Sequence, residues 1–312
     1  MMHFVAALLM TVPAIEEDDR LPARMTLEDP AESRRFRRRR QQEDERQRPG
    51  SLDAARPRDA EAPGEWTTRI APTFRMIGGK TRVREFDFDP IWLDNSGDLG
   101  MNVGTGIRVA ATYESRRILW FLELDLTRSQ GSGRMDHDFY YDEDHFKGGV
   151  PYKTHADLFF AKVGLALPGG VWESRNARLS PFVGLEYVRM SVGIDQPAAG
   201  IGTAEQYEQF IPYPIFGLLG ELRLSPNWTL SGRLYGGIMP NVATPFEEGG
   251  RLYMRVQTFG FDAELSWNAT DAIRLFAGIG YQYWNGRLRS VEDGNEFRLS
   301  APLFSAGVQI AW

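Results

Sequence analysis

From Trp66 to the C-terminus, apolar and polar residues alternate with a period of two, which is the spacing of β-strands that present two chemically different faces. Ten such segments can be traced, at residues 66–77, 102–114, 117–128, 155–167, 180–193, 212–225, 227–239, 252–268, 271–286 and 299–312. In the third segment, Ile118, Trp120, Leu122, Leu124 and Leu126 alternate with Phe121, Glu123, Asp125 and Thr127. The pattern predicts an all-β domain whose strands each have one apolar and one polar face.

Composition narrows the class of β protein. The chain has no uninterrupted apolar run of about 20 residues, which excludes a membrane-spanning helix. Its 32 glycines and eight tryptophans favour one large β architecture over two soluble globules. A low mean hydropathy is compatible with a transmembrane barrel, because every second residue of its strands is polar. A net charge of −6 argues against nucleic acid as a partner, and the absence of cysteine removes disulfides and thiolate metal sites.

The lengths of the links between segments distinguish a β-barrel from a β-sandwich. Three of them are very short, namely Ser115-Arg116, Ser225-Pro226 and Asn268-Ala269-Thr270, and they alternate with longer links, except for the longer stretch 168–179. Short periplasmic turns alternating with long outer loops are typical of outer-membrane barrels. We therefore predict a closed antiparallel transmembrane β-barrel, residues 66–312, with ten strands, in a bacterial outer membrane.

Aromatic residues mark one end of this predicted barrel. Six of them fall at the short-turn ends of their strands and share the apolar face, namely Trp66, Tyr113, Trp120, Trp228, Trp267 and Trp312. They predict an aromatic belt at the membrane–water interface. The last strand ends on Trp312, which suits recognition by the barrel-assembly machinery. Outer-membrane lipids and lipopolysaccharide are the other expected partners.

The N-terminal part has a different character. Residues 1–14 contain an apolar stretch and end in Val12-Pro13-Ala14, which predicts a signal peptide, although no Lys or Arg precedes the apolar core and a wrongly assigned start stays open. Residues 15–65 are highly charged, with an arginine-rich run at 34–40, and predict a disordered periplasmic extension.

The polar faces of the strands carry charges of both signs. We predict that they form a lumen charge network of Arg69, Arg108, Glu123, Asp125, Lys162, Glu221, Arg233, Asp262, Glu264 and Arg274. In a ten-stranded barrel the lumen is narrow, and an unpaired charge there is costly, so ion pairs are expected. A narrow selective channel is the alternative, and it needs a continuous water path past these residues.

The second outer loop is the most suggestive stretch for chemistry. It holds two of the four histidines, His137 and His145, and an acidic pair, Asp136 and Asp138, followed by Phe139. An Asp-x-Asp pair after a glycine- and methionine-containing approach resembles the omptins, ten-stranded outer-membrane proteases. The resemblance implies proteolysis in which Asp136 and Asp138 are catalytic and position a water molecule.

In omptins an Asp/His pair of the fourth outer loop activates that water, and a base must lie within hydrogen-bond reach of it. Residues 240–250, the fourth outer loop of this chain, contain neither histidine nor aspartate. Glu247, Glu248 or a histidine of a folded-back second loop would have to replace the base.

The same loop offers a second hypothesis. Asp142, Glu143 and Asp144 are oxygen ligands of the kind that Ca²⁺ prefers, but their spacing matches no defined calcium loop and an ordinary acidic surface loop is the favoured interpretation. No other cofactor is expected. In the first outer loop, Asp87 and Asp89 lie among aromatic residues that include Trp92, which suits an adhesive rim or simple packing over the mouth.

These observations lead to one expectation and two alternatives. We expect a non-enzymatic outer-membrane barrel with a structural, adhesive or ligand-binding role at the cell surface. The alternatives are an omptin-type protease or other membrane hydrolase, and a narrow channel. A histidine within about one water molecule of Asp136 or Asp138 across the barrel mouth would favour the hydrolase.

Overall fold

The computed structural model describes residues 64–83, 90–115, 118–141, 144–167, 171–247, 251–289 and 294–312. The predicted signal peptide and all of the predicted extension before Gly64 lie outside these residues. Within the described ranges, no helix has the length and apolar character needed to cross a membrane.

The described chain is built of strands. They are β1 (Glu65–Met76), β2 (Gly78–Val83), β3 (Ile91–Asp94), β4 (Val103–Glu114), β5 (Leu119–Gly133), β6 (Phe139–Tyr141), β7 (Asp144–Phe146), β8 (Tyr152–Ala166), β9 (Trp172–Glu173), β10 (Ala177–Gln196), β11 (Ile201–Arg223), β12 (Trp228–Glu247), β13 (Arg251–Asn268), β14 (Ile273–Arg289) and β15 (Gly294–Ala311). One turn of 3-10 helix, Pro197–Ala199, separates β10 from β11.

Ten of these strands close into a ring. The order is β1, β4, β5, β8, β10, β11, β12, β13, β14 and β15, with every neighbouring pair antiparallel. The last strand returns to the first, with Thr67 opposite Ala311 and Arg75 opposite Leu303. Closure leaves the ring without an unpaired edge, and the predicted ten-stranded barrel is confirmed.

The barrel is apolar outside and polar inside. On β5, Leu122, Leu124 and Leu126 are exposed, whereas Glu123 and Asp125 between them are buried. Large apolar side chains are exposed around the ring, among them Val183, Phe216, Ile238, Ile279 and Phe304. Only lipid makes such a surface favourable, so the barrel is a transmembrane barrel of the bacterial outer membrane, as predicted.

The two ends of the barrel differ. At one end, here called the turn end, β4 meets β5, β11 meets β12 and β13 meets β14 through short connections, and Trp66 is hydrogen-bonded to Trp312. At the other, the loop end, the interior is a continuous apolar core that includes Val188, Phe210 and Val256. The β6–β7 hairpin contributes Phe139, Tyr141 and Phe146 to this core. The lumen is therefore filled at the loop end.

The prediction of a long loop between residues 193 and 212 was wrong. β10 continues to Gln196 and β11 begins at Ile201, with Gly200 in the left-handed conformation between them (φ 76°). The inward side chains Ile194 and Ala204 are buried in the loop-end core, which stabilises the extended hairpin. β12 likewise runs eight residues past its predicted end at 239, to Glu247, and β14 runs three residues past its predicted end at 286, to Arg289.

Candidate functional site

The centre of the lumen is an ion-paired layer around Glu123. Its carboxylate lies 3.0 Å from the Arg233 guanidinium, 3.4 Å from the Lys162 ammonium and 3.9 Å from Arg108. Asp262 pairs with Arg233 at 2.7 Å and with Arg108 at 3.3 Å. Every charge in this layer has an opposite charge within reach, which is what burial in a narrow barrel requires.

The network extends in both directions from that layer. Towards the loop end, Asp125 pairs with Arg75 at 2.7 Å and with Arg108 at 2.9 Å. Towards the turn end, Arg69 pairs with Glu264. Glu221 lies 3.2 Å from Arg178, a further arginine. Of the ten residues predicted for the network, nine thus make ion pairs, and Arg274 makes none among the described residues.

A polar chain beside Lys162 was not foreseen from the sequence. Glu186 lies 3.3 Å from Lys162 and accepts a hydrogen bond from the Tyr213 hydroxyl, which in turn accepts one from Trp284 Nε1 at 2.9 Å. Lys162 stands directly opposite Glu123 on one neighbouring strand and Glu186 on the other. Only the strand register shows this arrangement, since the three residues are far apart in sequence.

Below the ion-paired layer the lumen widens into a cavity of about 1060 Å³ that opens at the turn end; we call it the vestibule. Its floor contains Arg108, Arg233 and Asp262, and its rim contains Glu65 and Glu173. The apolar core closes the lumen above, so the vestibule is a blind chamber.

The candidate catalytic residues lie on and beside the β6–β7 hairpin. Asp138 accepts a hydrogen bond from the Gly148 N–H at 2.8 Å, and its carboxylate lies 3.0 Å from His145 Nε2 and 3.3 Å from Lys147 Nζ. The Gly148 N–H, followed by Lys147, holds the pKa of the Asp138 carboxyl below its ordinary value. The ring of Tyr140 stacks on His145 at 4.6 Å.

Both ring nitrogens of His145 are engaged. Lys147 Nζ lies 3.1 Å from His145 Nδ1, and an ammonium group can only donate, so Nδ1 is the acceptor and Nε2 carries the proton that faces Asp138. A general base needs a free nitrogen within reach of the reacting proton. The second loop does fold back on itself, but the histidine that it brings to Asp138 has none.

The rest of the predicted catalytic set is not assembled. Asp136 and His137 are exposed, and no described histidine faces Asp136 or Asp138 from across the mouth. Within the described ranges, no group of three or more histidine, aspartate and glutamate side chains could hold a metal ion. Asp144 begins β7 and is exposed, whereas Asp142 and Glu143 lie outside the described residues, as do Asp87 and Asp89.

All six predicted belt aromatics lie at the turn end. Four form one cluster in which Trp66 stacks on Trp312 at 5.7 Å and contacts Trp120 at 4.9 Å and Tyr113 at 5.1 Å. The other two, Trp228 and Trp267, stand opposite each other on β12 and β13. Their role as membrane-interface anchors stays a prediction.

A second charged feature lies on the outside of the loop end. Five outward residues stand side by side across five strands, in the order Arg255, Arg287, Glu296, Arg82 and Trp92; we call them the cationic row. Next to the row, Arg289 and Arg298 face outward from β14 and β15. The sequence alone could not reveal the row, because its members belong to separate strands and meet only through register.

Comparison with known proteins finds likeness in fold only. No family model and no curated protein matches the chain. Among solved structures, the outer membrane protease OmpT from Escherichia coli aligns with 81% of this chain and 98% of its own, at 12% identity and a TM-score of 0.47. The translocator domain of the autotransporter NalP from Neisseria meningitidis aligns with 90% of this chain and 96% of its own, at 13% identity and a TM-score of 0.33.

The transport unit of the autotransporter AIDA-I from Escherichia coli aligns with 83% of this chain and 94% of its own, at 10% identity and a TM-score of 0.36. Likenesses of this size say nothing about activity.

Proposed function

We propose that the protein is a non-catalytic barrel that works by binding at the cell surface, and that the cationic row is its binding face for phosphate groups of lipopolysaccharide. The observation that carries this proposal is a set of four outward arginines, Arg82, Arg255, Arg287 and Arg289, that have no ion-pair partner among the described residues. They stand out on a chain whose net charge is −6.

The arginines of the cationic row repel one another, and a bound anion would reduce this repulsion. Arg255 and Arg287 are direct cross-strand partners on β13 and β14, and both point outward. Like charges placed opposite each other destabilise a sheet. Glu296 is the acidic member of the row, and it already pairs with Arg298 at 2.8 Å. A bound anion would supply the missing negative charge.

The arginines also surround a space of suitable size. Arg82, Arg287 and Arg289 line a cavity of about 190 Å³. Arg82 Nε is buried and has no hydrogen-bond partner among the described residues. The guanidinium groups of Arg82 and Arg298 lie over the ring of Trp92, at 5.7 and 4.7 Å from its centroid, and this contact orients them. Guanidinium forks bind phosphate oxygens in bidentate fashion.

The height of the row above the membrane suits lipid phosphates. The apolar outward residues of β14 end at Ile279, and Tyr281 and Tyr283 follow in the position of an interface belt. Arg287 lies four residues beyond Tyr283, about 13 Å further along the strand. Basic side chains at this level are within reach of headgroup phosphates, and each is worth about 1 kcal/mol near an anionic surface.

Binding of purified lipopolysaccharide to the barrel in detergent micelles tests the proposal. We expect the Arg287→Gln/Arg289→Gln variant to lose about a hundredfold or more in affinity, since it removes two charge-assisted contacts of about 1.5–3 kcal/mol each. Arg128→Gln is the matched control, because Arg128 is an exposed arginine at the loop end on another side of the ring, where it pairs with Asp157. Unchanged binding by the double variant, or an equal loss in the control, would refute the assignment, as would full binding of dephosphorylated lipopolysaccharide.

The two alternatives have less support. The hydrolase lacks a free base beside Asp138, since both nitrogens of His145 are engaged. The channel lacks a water path, since the lumen is filled by the ion-paired layer and by the apolar core above it.

A further inference from the structure

We infer that the vestibule is a second binding site, for a short periplasmic peptide that carries both a free carboxylate and a free ammonium group. The site lies at the opposite end of the barrel from the cationic row and does not depend on it. The turn end faces the periplasm, because the short turns of outer-membrane barrels lie on that side.

The first observation is a surplus of arginine on the vestibule wall. Arg175, Arg223 and Arg274 line the cavity and make no ion pair among the described residues. By contrast Arg178, on the same wall, is bound to Glu114 and lies 3.2 Å from Glu221. The three free guanidinium groups are therefore available to a ligand.

These arginines occupy two separate walls. The Arg223 N–H donates to the carbonyl of Asn176 at 2.7 Å, which ties the end of β11 to the link that carries Arg175. Arg274 is the second residue of β14, three strands further round the ring. A ligand held by both walls would span the chamber, whose volume of about 1060 Å³ is at the upper end of ordinary ligand sites.

A second observation concerns a buried hydroxyl group on the wall of the same vestibule. Ser180 lines the vestibule, its side chain is buried, and its hydroxyl has no hydrogen-bond partner among the described residues. A buried polar atom left without a partner costs free energy, and a ligand group in the chamber would satisfy it.

The chemistry of the walls selects the class of ligand. Arginine forks bind carboxylate and phosphate alike, but the rim also carries Glu65 and Glu173, which make no ion pair among the described residues. Those carboxylates repel a multiply charged phosphate and attract an ammonium group. A zwitterionic peptide satisfies both sets of charges, and the stem peptide of peptidoglycan is a periplasmic molecule of this kind.

Calorimetric titration of the full chain in detergent with the stem tripeptide L-Ala-γ-D-Glu-meso-diaminopimelic acid tests the inference. We expect saturable binding at one site, and a loss of roughly tenfold in affinity for Arg274→Gln and for Arg223→Gln. Arg223 is exposed, so its replacement leaves the barrel intact. Arg128→Gln, at the loop end, should bind as the unsubstituted chain does.

Two further titrations check the class of ligand. The tripeptide with its carboxylates converted to carboxamides should bind at least tenfold more weakly, and inorganic phosphate should not displace the tripeptide. Absence of tripeptide binding, equal affinity for the carboxamide, displacement by phosphate, or unchanged affinity in both arginine variants would each overturn the inference. None of these outcomes bears on lipopolysaccharide binding at the loop end, so the two proposals fail independently.

Discussion

Individual charged side chains in the lumen have more than one ion-pair partner. Glu123 is the example from which an effect on the free energy of unfolding can be predicted. Its carboxylate faces Arg108, Lys162 and Arg233 and is almost fully buried. Replacing it by glutamine leaves these cations with less negative charge than they need. Breaking a buried ion pair costs about 3–5 kcal/mol, and we expect Glu123→Gln to lower the free energy of unfolding by that amount.

Urea titration of the barrel in detergent, followed by tryptophan fluorescence, measures the change. Glu173→Gln is the control, since Glu173 is exposed and its replacement should shift the free energy by less than about 0.5 kcal/mol. A loss below about 1 kcal/mol for Glu123→Gln would show that the ion-paired layer does not stabilise the fold.

The ionisation state of the Asp138 carboxyl affects the stability of the β6–β7 hairpin. Its pKa is lowered from the ordinary carboxyl value of 3.8 by the Gly148 N–H and by Lys147. A lowered pKa in the folded state means that the ionised form stabilises the hairpin above the unfolded pKa, and that this stabilisation is lost as the pH falls through the lowered value. We expect the carboxyl carbon of Asp138, followed by NMR, to titrate below pH 3.8.

The Lys147→Gln variant provides the internal check, because removal of the ammonium should move the Asp138 midpoint upward. A midpoint at or above 3.8 in the unsubstituted protein would contradict the hydrogen-bonding scheme around the hairpin. The same contacts leave His145 without a free nitrogen. The sequence shows that Asp138 and His145 belong to one loop, but it does not show that both nitrogens of the histidine are engaged.

At the scale of the strands, the sequence predicted what lies in the membrane better than what lies beyond it. Within the lipid belt, outward residues are apolar and inward residues polar, so alternation is visible, as in Leu122, Glu123 and Leu124. Beyond the belt the outward face meets water while the inward face packs into the loop-end core, as Ile194 and Ala204 do. The chemical sense of the alternation reverses there, and for this reason the sequence pattern predicts a loop where the structure has the extensions of β10 and β11.

Parity along a strand and register between strands explain which parts of the candidate sites could be predicted and which could not. The members of the lumen network could be named from their parity along each strand. Their partners, such as Glu186 for Lys162, depend on register between strands that are distant in sequence. The cationic row depends on register across five strands, and no local pattern marks Arg255 and Arg287 as neighbours.

At the scale of the whole molecule, the lumen is divided into a blind vestibule, an ion-paired layer and an apolar core. The Lys162 side chain of the layer is 2% exposed, and those of Asp125 and Glu186 next to the layer are 0% exposed. Water does not reach these groups, and a permeating ion would have to break several buried pairs and then cross the core that contains Phe210 and Val256. We therefore expect the purified protein to be silent in planar lipid bilayers.

The conductance measurement needs proof that the barrel has inserted into the bilayer. Digestion with trypsin provides it. In an inserted barrel, externally added trypsin should cleave at loop-end sites such as Arg134, which is exposed in the link between β5 and β6, but not at lumen sites such as Arg233. Discrete current steps that scale with salt concentration would show a water path through the layer. Silence from an inserted barrel would exclude the channel and would leave the two binding proposals, for the cationic row and for the vestibule, to be decided by their own titrations.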